Sequence, residues 1–326
     1  MNNGIDYTIF DKEYFSVQDL LSQEPFDIFI SSYNNSDRVT TVFDKLNAKK
    51  KIWVVLPEYD FRDDEIPRGN NVFYNNTLVF ENEYILQFFE EFKIVNELKN
   101  GKACIDLTGF SRAHVVFFFR YLREIGIRKI SAIYTDPLAY IKNERTAFSI
   151  GHIDKPRQIS LCEGLHNSDT SNDYLIIGSG YDYKLISYVA SSKEKAKKIQ
   201  VFGFPSLKPH MYQENILQAI RAREAIGGHN FIHDRNTLFA PANDPFVTAQ
   251  VLKEFIDRVN QREIITNLYL SPLSTKAQTL GFILYYIWEC IDKPVSIILP
   301  VISKYSRETT KGISKIWRYQ VFLPPE

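Results

Sequence analysis

Four short stretches concentrate the side chains able to do chemistry. Ser31, Ser32 and Asn34 are followed by Arg38. Thr108 and Ser111 are followed by Arg112, Gly178, Ser179 and Gly180 by Lys184, and Ser274 and Thr275 by Lys276. Each stretch joins small or hydroxyl-bearing residues to one cation. Hydroxyls and backbone amides donate hydrogen bonds, and the cation adds a charge-assisted contact, a set that suits a phosphate-like anion. A cation in the first turn of a helix opposes the helix dipole, so its recurrence asks for a reason. Capping by Ser36, Asp182, Ser111 or Ser274 beside a solvated cation is the bland alternative. Acid–base candidates are fewer. His114, two residues past Arg112, and Asp136, in Tyr134-Thr-Asp-Pro-Leu-Ala-Tyr140, are placed where a general base or acid could act. Tyr305, Arg307 and Thr309 could reach the same cleft as Asp136. His229 and His233 have the four-residue spacing of a helical zinc pair. Gly227, Gly228 and Asn230 oppose a helix there, and no third ligand suggests itself, so no metal is expected. Gly178-Ser-Gly180 lacks the third glycine of a dinucleotide fingerprint, so no resident cofactor is expected either.

The elements that position these residues repeat. Val/Ile/Phe-rich runs at residues 52–56, 103–107, 129–134, 174–177, 199–202, 267–270 and 295–299 alternate with longer helical patterns. Runs of this length and type read as buried strands. Residues 83–99 place Ile85, Phe88, Phe89, Phe92, Val95 and Leu98 on one stripe, and residues 246–259 carry a similar stripe. Asp27-Ile-Phe-Ile-Ser-Ser-Tyr-Asn-Asn-Ser-Asp-Arg38 has the layout of Asp173-Tyr-Leu-Ile-Ile-Gly-Ser-Gly-Tyr-Asp-Tyr-Lys184. Downstream, Asn76-Thr-Leu78 matches Asn236-Thr-Leu238, and the turns before Arg112 and Lys276 correspond. The order of landmarks predicts an internal duplication. The fold class is α/β, with two tandem parallel-sheet lobes at residues 1–165 and 166–326, joined in the polar stretch 164–172. Ligands of such sheets sit outside the carboxyl ends of the strands, where all four stretches fall. His114 and Asp136 have no counterpart in the second copy, which favours binding over catalysis.

Composition bounds the partners. The 326 residues carry 39 Lys and Arg against 39 Asp and Glu, a formal charge of zero. Bulk binding of long nucleic acid needs clustered cations and is not expected. Cys104, Cys162 and Cys290 show no paired spacing, which suits a reducing compartment and a cytoplasmic protein. No apolar run approaches the ~18 residues of a membrane helix. An aromatic content of 14% leaves room for a protein-interaction scaffold.

Asp106-Leu-Thr-Gly-Phe-Ser-Arg112, a strand end running into a basic residue and a long apolar helix, resembles the ligand turn of CARF domains. CARF domains are Rossmann-like sensors of cyclic oligoadenylates, and SAVED domains are fused pairs of them. Their turn is of the Thr-Gly-Gly-Thr-Lys type; Pro272-Leu-Ser-Thr-Lys276 keeps its Thr-Lys without the glycines. The resemblance implies two Rossmann-like lobes, a cyclic oligonucleotide ligand, slow cleavage of it as an added activity, and a role in antiviral defence. Residues 27–38 are also similar to the opening of TIR domains, some of which cleave NAD. The expected function is therefore sensing of a small nucleotide-type anion, with an effector protein encoded nearby and a homodimer as partners. A nucleotide- or NAD-processing hydrolase or transferase is the alternative.

Overall fold

The computed structural model describes residues 5–77, 80–140, 151–227, 236–307 and 309–325. Leu78, His229 and His233 lie outside the described residues. The chain forms two compact units. The first comprises Phe10–Gly151 and Ser303–Glu326; the second comprises Met1–Ile9 and His152–Ile302.

The first unit is built on a seven-stranded sheet. Its strands are β1 (Lys12–Phe15), β2 (Phe26–Ser32), β3 (Ala48–Val54), β4 (Val72–Phe73), β5 (Ala103–Asp106), β6 (Lys129–Tyr140) and β13 (Thr310–Phe322). They lie in the order β4-β3-β2-β5-β6-β13-β1, with β2 to β6 parallel and β13 antiparallel to both neighbours. Helices α1 (Asp37–Lys45), α2 (Glu81–Phe92), α3 (Val95–Asn100) and α4 (Arg112–Glu124) connect them. The second unit holds β7 (Arg157–Gln158), β8 (Tyr174–Ser179), β9 (Lys197–Gly203), β10 (Thr237–Ala240), β11 (Leu268–Pro272) and β12 (Val295–Leu299). Their order is β10-β9-β8-β11-β12-β7, parallel except for β7. Its helices are α5 (Tyr183–Ser192), α6 (Met211–Arg221), α7 (Arg223–Ile226), α8 (Pro245–Asn260) and α9 (Lys276–Glu289). The α/β class and the two mainly parallel sheets agree with the sequence reading. In both units the five parallel strands follow the Rossmann-like order 3-2-1-4-5. That equivalence follows from the fold and does not by itself require a duplicated gene.

A division at residue 165/166 is not where the units part. Residues 152–165 belong with the second sheet, where Ile159 N–H donates to Ile297 O and Leu165 N–H to Lys293 O, both at 2.9 Å. The C-terminal residues return to the first sheet. β13 pairs with β6 from Thr310↔Tyr140 to Phe322↔Lys129. Buried Trp317, Tyr319 and Val321 alternate with partly exposed Arg318, Gln320 and Phe322. That period of two marks an antiparallel strand with one face on the core. Copy-by-copy matching takes only Gly312 from residues 310–322, as the counterpart of Gly151, and leaves the stretch in the second lobe, so the strand is missed.

The helical stripe of residues 83–99 is also split. Lys93 takes a left-handed conformation (φ +50°), and its N–H closes on Phe89 O, ending α2 at Phe92. α4 and α9, which follow the central strands β5 and β11, are buried on almost every face. Phe117, Phe118 and Phe119 in consecutive positions have no solvated side to turn to. Among the described residues, no helix is long and apolar enough to cross a membrane.

Candidate functional site

β2 and β5 are neighbours, yet the chain leaves β2 toward β3 on one side and leaves β5 toward β6 on the other. Connections that diverge open a crevice at the carboxyl ends of the two strands. β8 and β11 make the equivalent crevice in the second unit. All four polar stretches lie there. In the first unit Ser31 and Ser32 end β2, Asn34 follows it, and Thr108 and Ser111 follow β5, with Arg38 and Arg112 in the first turns of α1 and α4. In the second unit Gly178 and Ser179 end β8, Gly180 follows it, and Ser274 and Thr275 follow β11, with Lys184 and Lys276 in the first turns of α5 and α9.

The first crevice is held by a buried polar network. Ser31 Oγ donates to Asp106 Oδ2 at 2.9 Å, and Thr108 N–H donates to Asp106 Oδ1 at 2.9 Å. Thr108 Oγ1 accepts from Thr135 N–H at 3.1 Å. Burial raises the Asp106 carboxyl above the ordinary carboxylate range, against the pull of Thr108, Ser31 and Arg38. A raised carboxyl pKa means the native state holds the proton to higher pH than the unfolded chain. Stability is then full below the ordinary value and falls as pH rises from it to the raised one. Asp106→Asn should flatten that fall, measured as urea midpoints across the acidic range. Parallel wild-type and variant profiles would refute this account of Asp106.

The two first-turn cations of α1 and α5 are not equivalent. Arg38 Nη1 donates to Thr135 O at 2.7 Å, and Nε donates to Thr310 Oγ1 at 3.1 Å. These bonds tie α1 to β6 and β13 and give the cation a structural reason to stand at a helix start. Lys184 is exposed. Its N–H goes to Asp182 Oδ1 at 3.2 Å, part of an aspartate cap. Ser36 makes no cap bond through its side chain; Asn34 Oδ1 accepts from Ser36 N–H at 3.0 Å and from its hydroxyl at 2.5 Å.

Capping accounts for one hydroxyl before each of Arg112 and Lys276. Ser111 Oγ accepts from His114 N–H at 3.2 Å at the start of α4. On α9 the cap is Thr275 rather than Ser274: Thr275 Oγ1 accepts from Gln278 N–H at 3.1 Å and donates to Ala242 O at 2.5 Å. Glycines serve wall-to-wall contact. A Cβ on Gly180 would stand 2.2 Å from Leu273 O, and one on Gly109 would stand 1.9 Å from Ser32 O. Gly178 is less confined, with Phe282 Cε2 at 3.3 Å.

The acid–base candidates are engaged. His114 is buried, with Nδ1 2.7 Å from Ser111 Oγ and 3.8 Å from Glu58 Oε1. A serine–histidine–carboxylate relay needs hydroxyl and carboxylate on different ring nitrogens. Here both face Nδ1, and the hydroxyl is also the helix cap. Asp136 Oδ2 accepts from Trp317 Nε1 at 2.8 Å, fastening β6 to β13.

Sequence reasoning missed Glu58 and Tyr59, just past the carboxyl end of β3. Tyr59 hydroxyl donates to Gly109 O at 2.8 Å and accepts from Asn34 Nδ2 at 3.4 Å. Burial pushes its pKa up to about 12, with the Asn34 bond and the charges of Arg38 and Arg112 pulling down. Tyr305 is also raised by burial, with Glu58 raising it further and Arg112 opposing. The strand-end rule applied to β3 as well as to β2 and β5 would have found this pair.

Some polar atoms of the crevices have capacity left. Ser32 Oγ and Thr135 Oγ1 in the first unit, and Ser271 Oγ and Gln278 Oε1 in the second, are buried without a hydrogen-bond partner in the protein. Each such atom costs about 1–3 kcal/mol if nothing satisfies it. A cavity of about 780 Å³ lies at the other end of the first sheet, by the amino ends of β2, β5 and β6. Three of its cations are engaged: Lys102 with Glu24, Arg318 with Glu13, and Arg128 with Pro324 O. Among the described residues, no group of three or more His, Cys, Asp or Glu could hold a metal ion. No protein-family model matches this chain and no curated protein matches it, so the functional reading rests on the crevices themselves.

Proposed function

We propose that the chain is a binding module for a small anionic ligand of nucleotide type, taken at the switch-point crevices of two duplicated Rossmann-like units, and that it acts as a sensor. The observation that carries this reading is Ser32 Oγ: buried at the carboxyl end of β2, in the strand that leads into α1 and packed against the Gly109 turn that leads into α4, with no protein partner. Helix starts offer unsatisfied amides and a positive dipole end to an anion, and Arg112 adds charge. Binding is favoured over turnover because His114 and Asp136 are both committed to structural bonds. The resemblance of Thr108-Gly-Phe-Ser-Arg112 to the CARF turn adds cyclic oligoadenylates as the first ligands to try and a defence effector as the partner that reads the signal.

The test is a thermal-shift and titration panel of cyclic oligoadenylates, linear oligonucleotides and NAD, with product analysis. A charge-assisted hydrogen bond is worth about 1.5–3 kcal/mol, so Arg112→Ala should weaken the responding ligand by about tenfold to a hundredfold. Lys276→Ala should do the same if the second crevice takes part. Unchanged responses in both variants would remove the site assignment. Product that disappears in His114→Ala or Asp136→Ala would replace the sensor with an enzyme.

A further inference from the structure

The second unit ends at Ile302, and the chain re-enters the first unit at Ser303. Its first residues there do not go straight into β13. They run along the segment 57–65, which follows β3 at the mouth of the first crevice. Tyr305 N–H donates to Glu58 O at 2.8 Å. Arg307 Nε donates to Tyr59 O at 2.6 Å, and Nη1 pairs with Glu65 Oε2 at 3.0 Å. The same guanidinium lies 4.4 Å from the centre of the Phe61 ring. Lys304 Nζ meets Asp60 Oδ2 at 2.5 Å, and the rings of Tyr59 and Tyr305 are 5.9 Å apart.

Tyr59 is the joint. Its carbonyl is held by Arg307, and its hydroxyl is held by Gly109 O on the turn after β5. Asn34, on the turn after β2, reaches the same hydroxyl. One side chain thus touches both walls of the crevice while its main chain is fastened to residues 303–307. Moving either wall pulls on the bonds that hold the strap.

We propose that residues 303–307 form a strap coupled through Tyr59 to the first crevice, so that opening the crevice and releasing the strap are one event. The role this gives the strap rests on the reading of the crevice as a ligand site. The strap follows directly on one of the three chain connections between the units, at Ile302–Ser303, so its release carries the state of the crevice into that connection. Bidentate and stacked contacts of this kind belong to arginine and are not reproduced by lysine.

Hydrogen exchange on the ligand-free full chain tests the coupling. Arg307→Ala should raise exchange at least tenfold at residues 57–65 and also at residues 108–112, while β8 in the second unit stays protected. Tyr59→Phe keeps the carbonyl that Arg307 holds and removes the hydroxyl, and it should loosen residues 303–307. If Arg307→Ala loosens 57–65 and leaves 108–112 at wild-type rates, the coupling is overturned. Wild-type exchange of the strap in Tyr59→Phe overturns it equally. A ligand panel without a binder is a separate failure, that of the ligand reading, because the exchange is read without ligand.

Discussion

A chain ending at residue 302 is expected to lose the first unit and keep the second. The deletion removes β13, whose Ile316, Trp317, Tyr319 and Val321 are buried in the first unit. Fully burying a large apolar side chain contributes about 1.5–3 kcal/mol, so the four together supply roughly 6–12 kcal/mol, as an upper estimate. That is comparable with the whole net stability of a typical domain, about 5–15 kcal/mol. The loss also frees β6, paired with β13 along most of its length, as a long unpaired edge prone to association. It takes away Thr310, which anchors Arg38, and Trp317, which anchors Asp136. The second unit keeps every strand of its sheet, because residues 152–302 and the N-terminal Tyr7 are retained. Hydrogen exchange of the truncated chain should show protection in β8, β9, β11 and β12 and none in β2, β5 and β6. Fusing residues 303–326 to 10–151 should restore a folded first unit. A truncated chain that protects β2 and β5 like the full chain would refute the dependence of the first unit on β13.

The contrast with a plain tandem arrangement shows what a sequence can carry. Strand-helix alternation is local, and the period of the apolar residues survives in each element, so the α/β class and the parallel strands are legible. The strand-end rule is topological, so it selected turns that do lie at the carboxyl ends of the two central strands of each sheet, without any knowledge of their contacts. Unit boundaries are different, because they depend on which strand a distant segment pairs with. The alternation Trp317-Arg-Tyr-Gln-Val321 announces a strand but not its partner. Side-chain roles are equally non-local. Arg38 looked like an anion ligand because its acceptors, Thr135 and Thr310, lie 97 and 272 residues away. Lys184 shares its place in the pattern and none of those contacts, so agreement between copies marked a position in the fold rather than a shared function.

Glycine gives the sharpest case, and the second prediction turns on it. Gly109 and Gly180 sit on crevice turns, where small residues could serve a ligand that comes close to the backbone. The distances point instead to the walls. The ideal Cβ positions, 1.9 Å from Ser32 O and 2.2 Å from Leu273 O, are closer than any real Cβ approaches an oxygen. The obstacle in each case is backbone, which cannot swing aside like the tip of a side chain. Gly109→Ala must therefore push the β5 turn away from the end of β2, straining the Tyr59 bond to Gly109 O as it moves. Overpacking of a close contact costs about 1–3 kcal/mol and more when main chain must move. The ligand-free first unit should lose at least that much in Gly109→Ala, and the second unit a similar amount in Gly180→Ala. Gly178→Ala, with its nearest neighbour the rim of the Phe282 ring at 3.3 Å, should be milder. Glycines kept for ligand approach would behave in the opposite way, losing affinity while the ligand-free chain melts as wild type. Denaturation of the three variants without ligand therefore decides between the two roles, and wild-type melting of Gly109→Ala would return that glycine to the ligand.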